Sequence, residues 1–189
     1  AFARALPFDQ YLATAKPHER SGWDAFARSV TLTPAQIETV RALERRINLL
    51  CISGTWCGDC VQQVPILAEI QRAFPAPADQ PDAPGIDLRL IDRDADRALS
   101  GAHMICGGMR VPVMIFLTEE FDFAALAGDR SLTRYRALLH RNMGPACMLP
   151  GARVEVSELD GTTQDWVNEF ERVGIMLRLS GKLRQKHAD

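Results

Sequence analysis

Cysteine is scarce in this chain of 189 residues, and only two of its five cysteines stand close together. That count excludes the disulfide framework on which small secreted scaffolds depend. Charge of one sign is also lacking. A net charge of −2 gives no electrostatic case for binding nucleic acid or an anionic membrane. No apolar run approaches the ~20 residues that span a bilayer. The opening Ala1 to Arg20 is interrupted by Arg4, Asp9, Lys16 and Glu19, so no secretory leader shows within it. These absences point to the cytoplasm, although a chain that does not begin with Met leaves open a leader removed ahead of this numbering. At 47% hydrophobic and 24% charged, the composition is that of a globular protein able to bury a core.

The informative stretch is Ile47 to Cys60. An apolar, strand-forming run passes through Gly54-Thr55 into Trp56-Cys57-Gly58-Asp59-Cys60, and a helical pattern follows at once. A cysteine in the first turn of a helix faces unpaired N–H groups and the positive end of the helix dipole. Both favour the thiolate, so the pKa falls below the free value of about 8.5. Cys60, three residues on, lies one turn away and within reach of a disulfide. Three readings fit a Cys-x-x-Cys: a redox pair, half of a zinc site, or two unrelated buried thiols. The preceding strand and following helix favour the redox pair, because structural zinc knuckles sit in loops or hairpins with a second ligand pair.

Trp56-Cys57-Gly58-Asp59-Cys60 resembles the active site of the thioredoxin family, whose usual form has proline where Asp59 stands. Pro65, five residues after Cys60, matches the proline that kinks that family's active-site helix. Val111-Pro112, ahead of Val113 to Leu117, resembles its cis-proline. The resemblance covers roughly residues 47 to 141. It implies an α/β fold, with a thioredoxin-like three-layer α/β/α core around a central mixed sheet and helical extensions at both ends. The expected divisions are 1–46 for the N-terminal extension, 47–141 for the core and 142–189 for a C-terminal extension packed on it.

The same resemblance implies a thiol-disulfide oxidoreductase. Cys57 is then the nucleophile and Cys60 the resolving thiol, while Trp56, Gly58, Asp59, Val111 and Pro112 form the substrate-docking surface. No cofactor is needed beyond a redox-active Cys57–Cys60 disulfide. The partners are protein or small disulfide substrates and an electron-donating dithiol or reductase, with neither nucleic acid nor membrane involved.

Two residues depart from the family pattern. Cys51 occupies the place, six before the first cysteine, where the family usually has a buried Asp that moves protons for the second cysteine. We read it as an inert buried thiol, which leaves the proton route from Cys60 unassigned. The Asp59 carboxylate beside Cys57 is expected to oppose its ionisation. A less stabilised thiolate favours the disulfide and hence a reducing protein. Two rival readings stay in view: a thioredoxin-like binding module with an idle or regulatory dithiol, and a zinc site of Cys57, Cys60, His103 and Cys106.

Elsewhere the periodicity predicts helices across 1–46. Thr33-Pro34-Ala35-Gln36 marks a helix start, and Ile37, Val40, Leu43 and Ile47 form its apolar face. Arg45 and Arg46 read as a solvated helix end. Pro75 to Gly85 reads as a long connection, and Ile86 to Ile91 as a strand. Asp92, Asp94 and Asp96 read as helix capping and surface ion pairs interleaved with Arg93 and Arg97. Strands follow at 113–117 and 122–127, with a helix carrying Leu132, Tyr135, Leu138 and Leu139. After the loop 142–151 come a short strand at 153–156 and an amphipathic helix from Thr162 that carries Trp166, Val167, Phe170, Val173, Met176 and Leu177. Lys182 to Lys186 reads as a frayed basic end, and Cys147 has no evident partner.

Overall fold

The structure, a computed structural model, describes residues 1–143 and 157–188. The expected strand at 153–156 and Cys147 lie outside the described residues. A mixed sheet of four strands organises the fold: β1 (Arg46–Ser53), β2 (Gly85–Asp92), β3 (Val113–Leu117) and β4 (Phe123–Ala127), in the order β2-β1-β3-β4. β2 runs parallel to β1, while β3 and β4 are antiparallel to their neighbours. Every residue of β1 is buried. A strand with both faces covered reads as a near-continuous apolar run, and Ile47 to Ile52 is such a run but for Asn48. Asn48 is satisfied at both ends, accepting from Arg46 Nε at 3.0 Å and donating to the Thr118 carbonyl at 2.7 Å.

Three helices precede the sheet: α1 (Phe8–Ala13), α2 (Pro17–Ser29) and α3 (Pro34–Arg41). They belong to the core. Phe8, Tyr11, Leu12, Trp23 and Val40 join one continuous apolar cluster with β1 and β2, and Leu6 bridges to Leu90 at the outer edge of β2. Thr33 caps α3 with a reciprocal Gln36 contact, as the sequence predicts. The helix stops at Arg41, however, so Leu43 reaches the core from the turn and Ile47 from the strand.

The helical stretch after Cys57 departs from a simple kink. A single turn, α4 (Gly58–Val61), ends at Gln62, and a separate α5 (Val64–Ala73) begins after Gln63, whose φ of −129° is not helical. Pro65 therefore sits in the first turn of α5, where its missing N–H is one of the orphans in any case. The cost of about 3 kcal/mol for an interior proline does not arise. Gln63 is buried across the break, donating to the Asp129 carbonyl at 2.8 Å and accepting from Ser131 N at 3.0 Å.

β2 opens on Gly85 at φ +146°, where a Cβ would lie 2.5 Å from Ala76 Cα, so only glycine fits. Asp96 caps α6 (Arg97–Ala102) by accepting from Leu99 N, and also pairs with Arg4 at 2.6 Å. Arg93 pairs with Asp94 at 2.9 Å. These acids cap and pair as expected. α7 (Leu132–Met143) follows β4. α8 (Glu158–Leu179) starts earlier than its apolar pattern suggests because Ser157 caps it by accepting from Asp160 N. Its buried Trp166, Val167, Phe170, Val173 and Leu177 pack on the chain's own core, with Phe170 edge-on to Phe116 of β3 at 5.4 Å. The basic end is ordered as α9 (Gly181–His187), tied to the β3–β4 turn by Lys186 to Glu120 at 2.7 Å and His187 to Glu120 at 2.9 Å.

Arg45 and Arg46 correct the solvated-end reading. Arg45 is buried and pairs with buried Glu119 at 2.9 Å. Arg46, also buried, donates to the Pro77 carbonyl at 3.0 Å and pairs with Asp87 at 3.4 Å. The helix has already ended, so these side chains enter the protein at the start of β1. Removing one partner of a buried ion pair leaves an uncompensated charge and costs about 3–5 kcal/mol. Arg45→Met should lose that much in urea unfolding, and Arg45→Met/Glu119→Leu should recover most of it.

Candidate active site

Cys57 occupies the N-cap position of α4, with φ −89° and ψ 120°. Its backbone N–H donates to the Gly54 carbonyl at 3.0 Å, which closes the turn that delivers it from β1. The thiol donates to the Val111 carbonyl at 3.4 Å, so the first cysteine and the residue before Pro112 are in direct contact. The Val111–Pro112 peptide is cis, as the resemblance implies. Cys57 keeps 9% exposure, whereas Cys60 beneath it has none. All the described cysteines are free, so the site is in its dithiol form.

The two thiols are electrostatically unlike. Cys57 is lowered to about 7, chiefly by the hydrogen bond that the Cys60 thiol gives its sulfur. Burial pushes the other way, the backbone N–H groups of Cys60 and Asp59 add to the lowering, and the Asp59 charge opposes it. Cys60 is raised well above a free thiol, first by burial and then by giving its hydrogen bond to Cys57, with the charges of Cys57 and Cys51 adding. Cys51 is fully buried and raised by burial. It is a neutral packing group, as its apolar surroundings require.

Asp59 is clamped. Arg130 grips it through both oxygens at 3.1 and 2.5 Å, and Arg134 adds a third contact at 2.8 Å. Arg130 also pairs with Asp129 at 3.1 Å, as does Arg110. The carboxylate therefore still opposes Cys57 ionisation, but through a charge that two guanidinium groups partly neutralise. Neither arginine is singled out by the sequence. Arg130 and Arg134 are spaced like neighbours around the start of a helix, yet only the folded chain brings them to Asp59.

Trp56 is half exposed, and its ring lies over Gly54, where a Cβ would meet it at 2.8 Å. The Arg93 guanidinium stacks on the ring 4.5 Å from its centre. An open cleft of about 440 Å³ runs beside the thiol between Trp56, Cys57, Arg93, Arg110, Val111 and Arg130. The N-terminal helices hold the turn from behind. Buried Trp23 donates to the Thr55 carbonyl at 2.8 Å, and Thr55 donates to Glu19 at 2.7 Å. Trp23 and Glu19 are further site-supporting residues that local sequence reading passes over.

The structure thus brings Trp56, Cys57, Asp59 and Val111 to one cleft, with Gly58 in the first turn of α4 and Pro112 next to Val111. It does not assemble the zinc set. His103 Nδ1 lies 2.9 Å from the Leu99 carbonyl, Cys106 is exposed at φ 50°, and the two do not gather with Cys57 and Cys60. Among the described residues, the one cluster with metal-ligand spacing is Glu119, Glu120 and His187. Arg45 and Lys186 already lie against its carboxylates.

The thioredoxin family model matches residues 5–132, more than half of the chain. The chain belongs to the thioredoxin family. The match begins in the N-terminal helices, in keeping with their place in the core. No curated protein matches the sequence. Among solved structures, the chain is similar to a protein of unknown function from Pseudomonas aeruginosa at 19% identity and TM-score 0.65, over 91% of this chain and 93% of that one. It is also similar to an HIV epitope scaffold at 19% identity and TM-score 0.58, over 93% and 92% of the two chains. Both likenesses concern the fold alone. Among the described residues, no helix of this thioredoxin-family chain is long and apolar enough to cross a membrane.

Asp59→Asn removes the opposing charge and leaves Arg130 and Arg134 facing the site. The Cys57 pKa should fall below its native value of about 7. Overlaid pH titrations of ultraviolet thiolate absorbance for the two reduced proteins check this; superimposable curves would contradict the electrostatic account.

Proposed function

We propose that the protein is a thiol-disulfide oxidoreductase that reduces protein or small disulfides through Cys57 and Cys60. The observation that carries this reading is the asymmetry of the pair: a marginally accessible sulfur that ionises at about 7, against a buried one held protonated. The Cys57 thiolate attacks a substrate sulfur. The substrate's other sulfur leaves with the electron pair, and a mixed disulfide remains on Cys57. Cys60 then loses its proton and attacks Cys57 Sγ, closing the Cys57–Cys60 disulfide and releasing the second substrate thiolate. The substrate gains two electrons that the dithiol loses.

An electron-donating dithiol or reductase returns the pair to its reduced form, and no further cofactor enters. Trp56, Asp59 and Val111 border the approach. The Val111 main chain lies beside Cys57, where an extended substrate segment can pair with it as in strand addition. A cytoplasmic setting suits a dithiol that works in its reduced form.

A Cys57 pKa near 7 belongs with a reducing dithiol, since strong oxidants hold their nucleophile far lower. Equilibrated against dithiol buffers of graded poise, the pair should show one two-electron transition nearer ~−270 mV than ~−120 mV. Cys57→Ser should abolish turnover of a model disulfide. Retained turnover, or no transition, would turn the case to a binding module with an idle dithiol.

A further inference from the structure

The cleft beside Cys57 is bordered by more cations than acids. Arg93, Arg110 and Arg130 line it, against Asp59 and Asp129. The acids are also the more buried groups. The Asp129 side chain is 4% exposed and that of Asp59 20%, whereas Arg110, Arg93 and Arg130 keep 44%, 28% and 23%.

Both acids are already satisfied by protein donors. Asp129 accepts from Arg110 and Arg130 at 3.1 Å each, and from the Tyr135 hydroxyl. Asp59 accepts from Arg130 and, at 2.8 Å, from Arg134 of α7. The arginines keep spare capacity. Arg110 gives one N–H to Asp129, and among the described residues the rest of its fork of five makes no hydrogen bond. Arg93 is turned to Asp94 through Nε and one terminal nitrogen, while its guanidinium lies over the half-exposed Trp56 ring. Asp94 itself is not part of the cleft lining. The net charge of −2 gives the protein as a whole no attraction for an acidic partner, so any such attraction is local to this border.

We propose that the cleft selects disulfides carried on acidic polypeptide segments, with Arg110 and Arg93 as the specificity-determining residues. The inference rests on the exchange reading above and names its substrate class. Guanidinium groups match carboxylates through paired N–H donors, and arginine clusters are a recurring means of reading acidic motifs. The cleft is open, which suits a length of chain crossing it better than a small molecule enclosed within it. An extended segment laid along the Val111 main chain sends its side chains alternately to either side. Carboxylates flanking the substrate cysteine then reach the arginine border while the sulfur meets Cys57.

Three synthetic peptides test this, each with one cysteine joined by a disulfide to neutral 2-thiopyridine. They differ only in carrying two glutamates, two glutamines or two lysines on each side of the cysteine. Attack of the Cys57 thiolate on the peptide sulfur expels the coloured pyridinethiolate, and Cys60 then releases the peptide thiol. The full chain carries Cys106→Ser and Cys147→Ser, so that the active-site pair reports. At low salt the second-order rate should be greatest for the glutamate peptide and least for the lysine peptide. The glutamate-to-glutamine ratio should be about 10, the lower end of what a charged cleft contributes. Near 1 M salt it should shrink towards one, as the Debye length falls to about 3 Å. Arg110→Gln and Arg93→Gln should each cut the low-salt ratio about threefold, within the range of single exposed ion pairs. Reading a ratio cancels any change in the reactivity of the thiol itself.

Equal rates for the three peptides, or a faster lysine peptide, would overturn the proposal. So would a ratio that neither variant moves. Thermal melts check that the variants fold; if one does not, the other decides. Mass spectrometry of the reacted chain separates this inference from the reading beneath it. A peptide left on Cys57 with no Cys57–Cys60 disulfide would remove the exchange reading, whereas closure of the disulfide without a charge preference would remove only the substrate class.

Discussion

The burial of Cys60 beneath a marginally exposed Cys57 is the constraint on which the site depends. Burial keeps the proton on Cys60, and that proton stabilises the Cys57 thiolate. Each sulfur sets the other's state. The surrounding architecture serves this inequality: a strand covered on both faces, a one-turn helix that stops before it buries Cys57, and a Val111 carbonyl against the outer sulfur.

The break between α4 and α5 explains how one short motif meets both demands. A continuous helix would carry Pro65 in its interior. Two helices place it in a first turn and leave Gln63 free to bridge to the loop before α7. That loop brings Arg130, and α7 brings Arg134, to Asp59. A carboxylate that would otherwise weigh directly against the thiolate is thereby tied to the helix on the far side of the cleft. Its charge becomes part of the tertiary packing.

The N-terminal helices make the same point from behind. Trp23 and Glu19 pin the Thr55 turn. In a minimal core the turn before the motif would rest on local hydrogen bonds alone. Here it is held by a segment more than thirty positions earlier in the chain.

The strand, turn and Cys-x-x-Cys could be read without coordinates because each is local. Apolar continuity marks a buried strand, and the helix that follows orients the thiol. Val111 and Pro112 were readable only through the family resemblance, since a Val-Pro ahead of an apolar run does not by itself mark a site. The ends of α3 and α8 were less legible, since a turn or a strand can continue an apolar spacing and a capping Ser157 can precede it. Arg45 illustrates the limit. Two arginines after a helical pattern look solvated until a glutamate 74 positions later is brought to 2.9 Å inside the core. By itself the sequence determined the sheet-forming core and the placing of a Cys-x-x-Cys pair between a strand and a helix, because these follow from periodicity and from chemistry within one turn. Which charges surround those thiols only the tertiary structure decided, since Arg130 and Arg134 lie more than seventy positions beyond Asp59 and meet it only through packing.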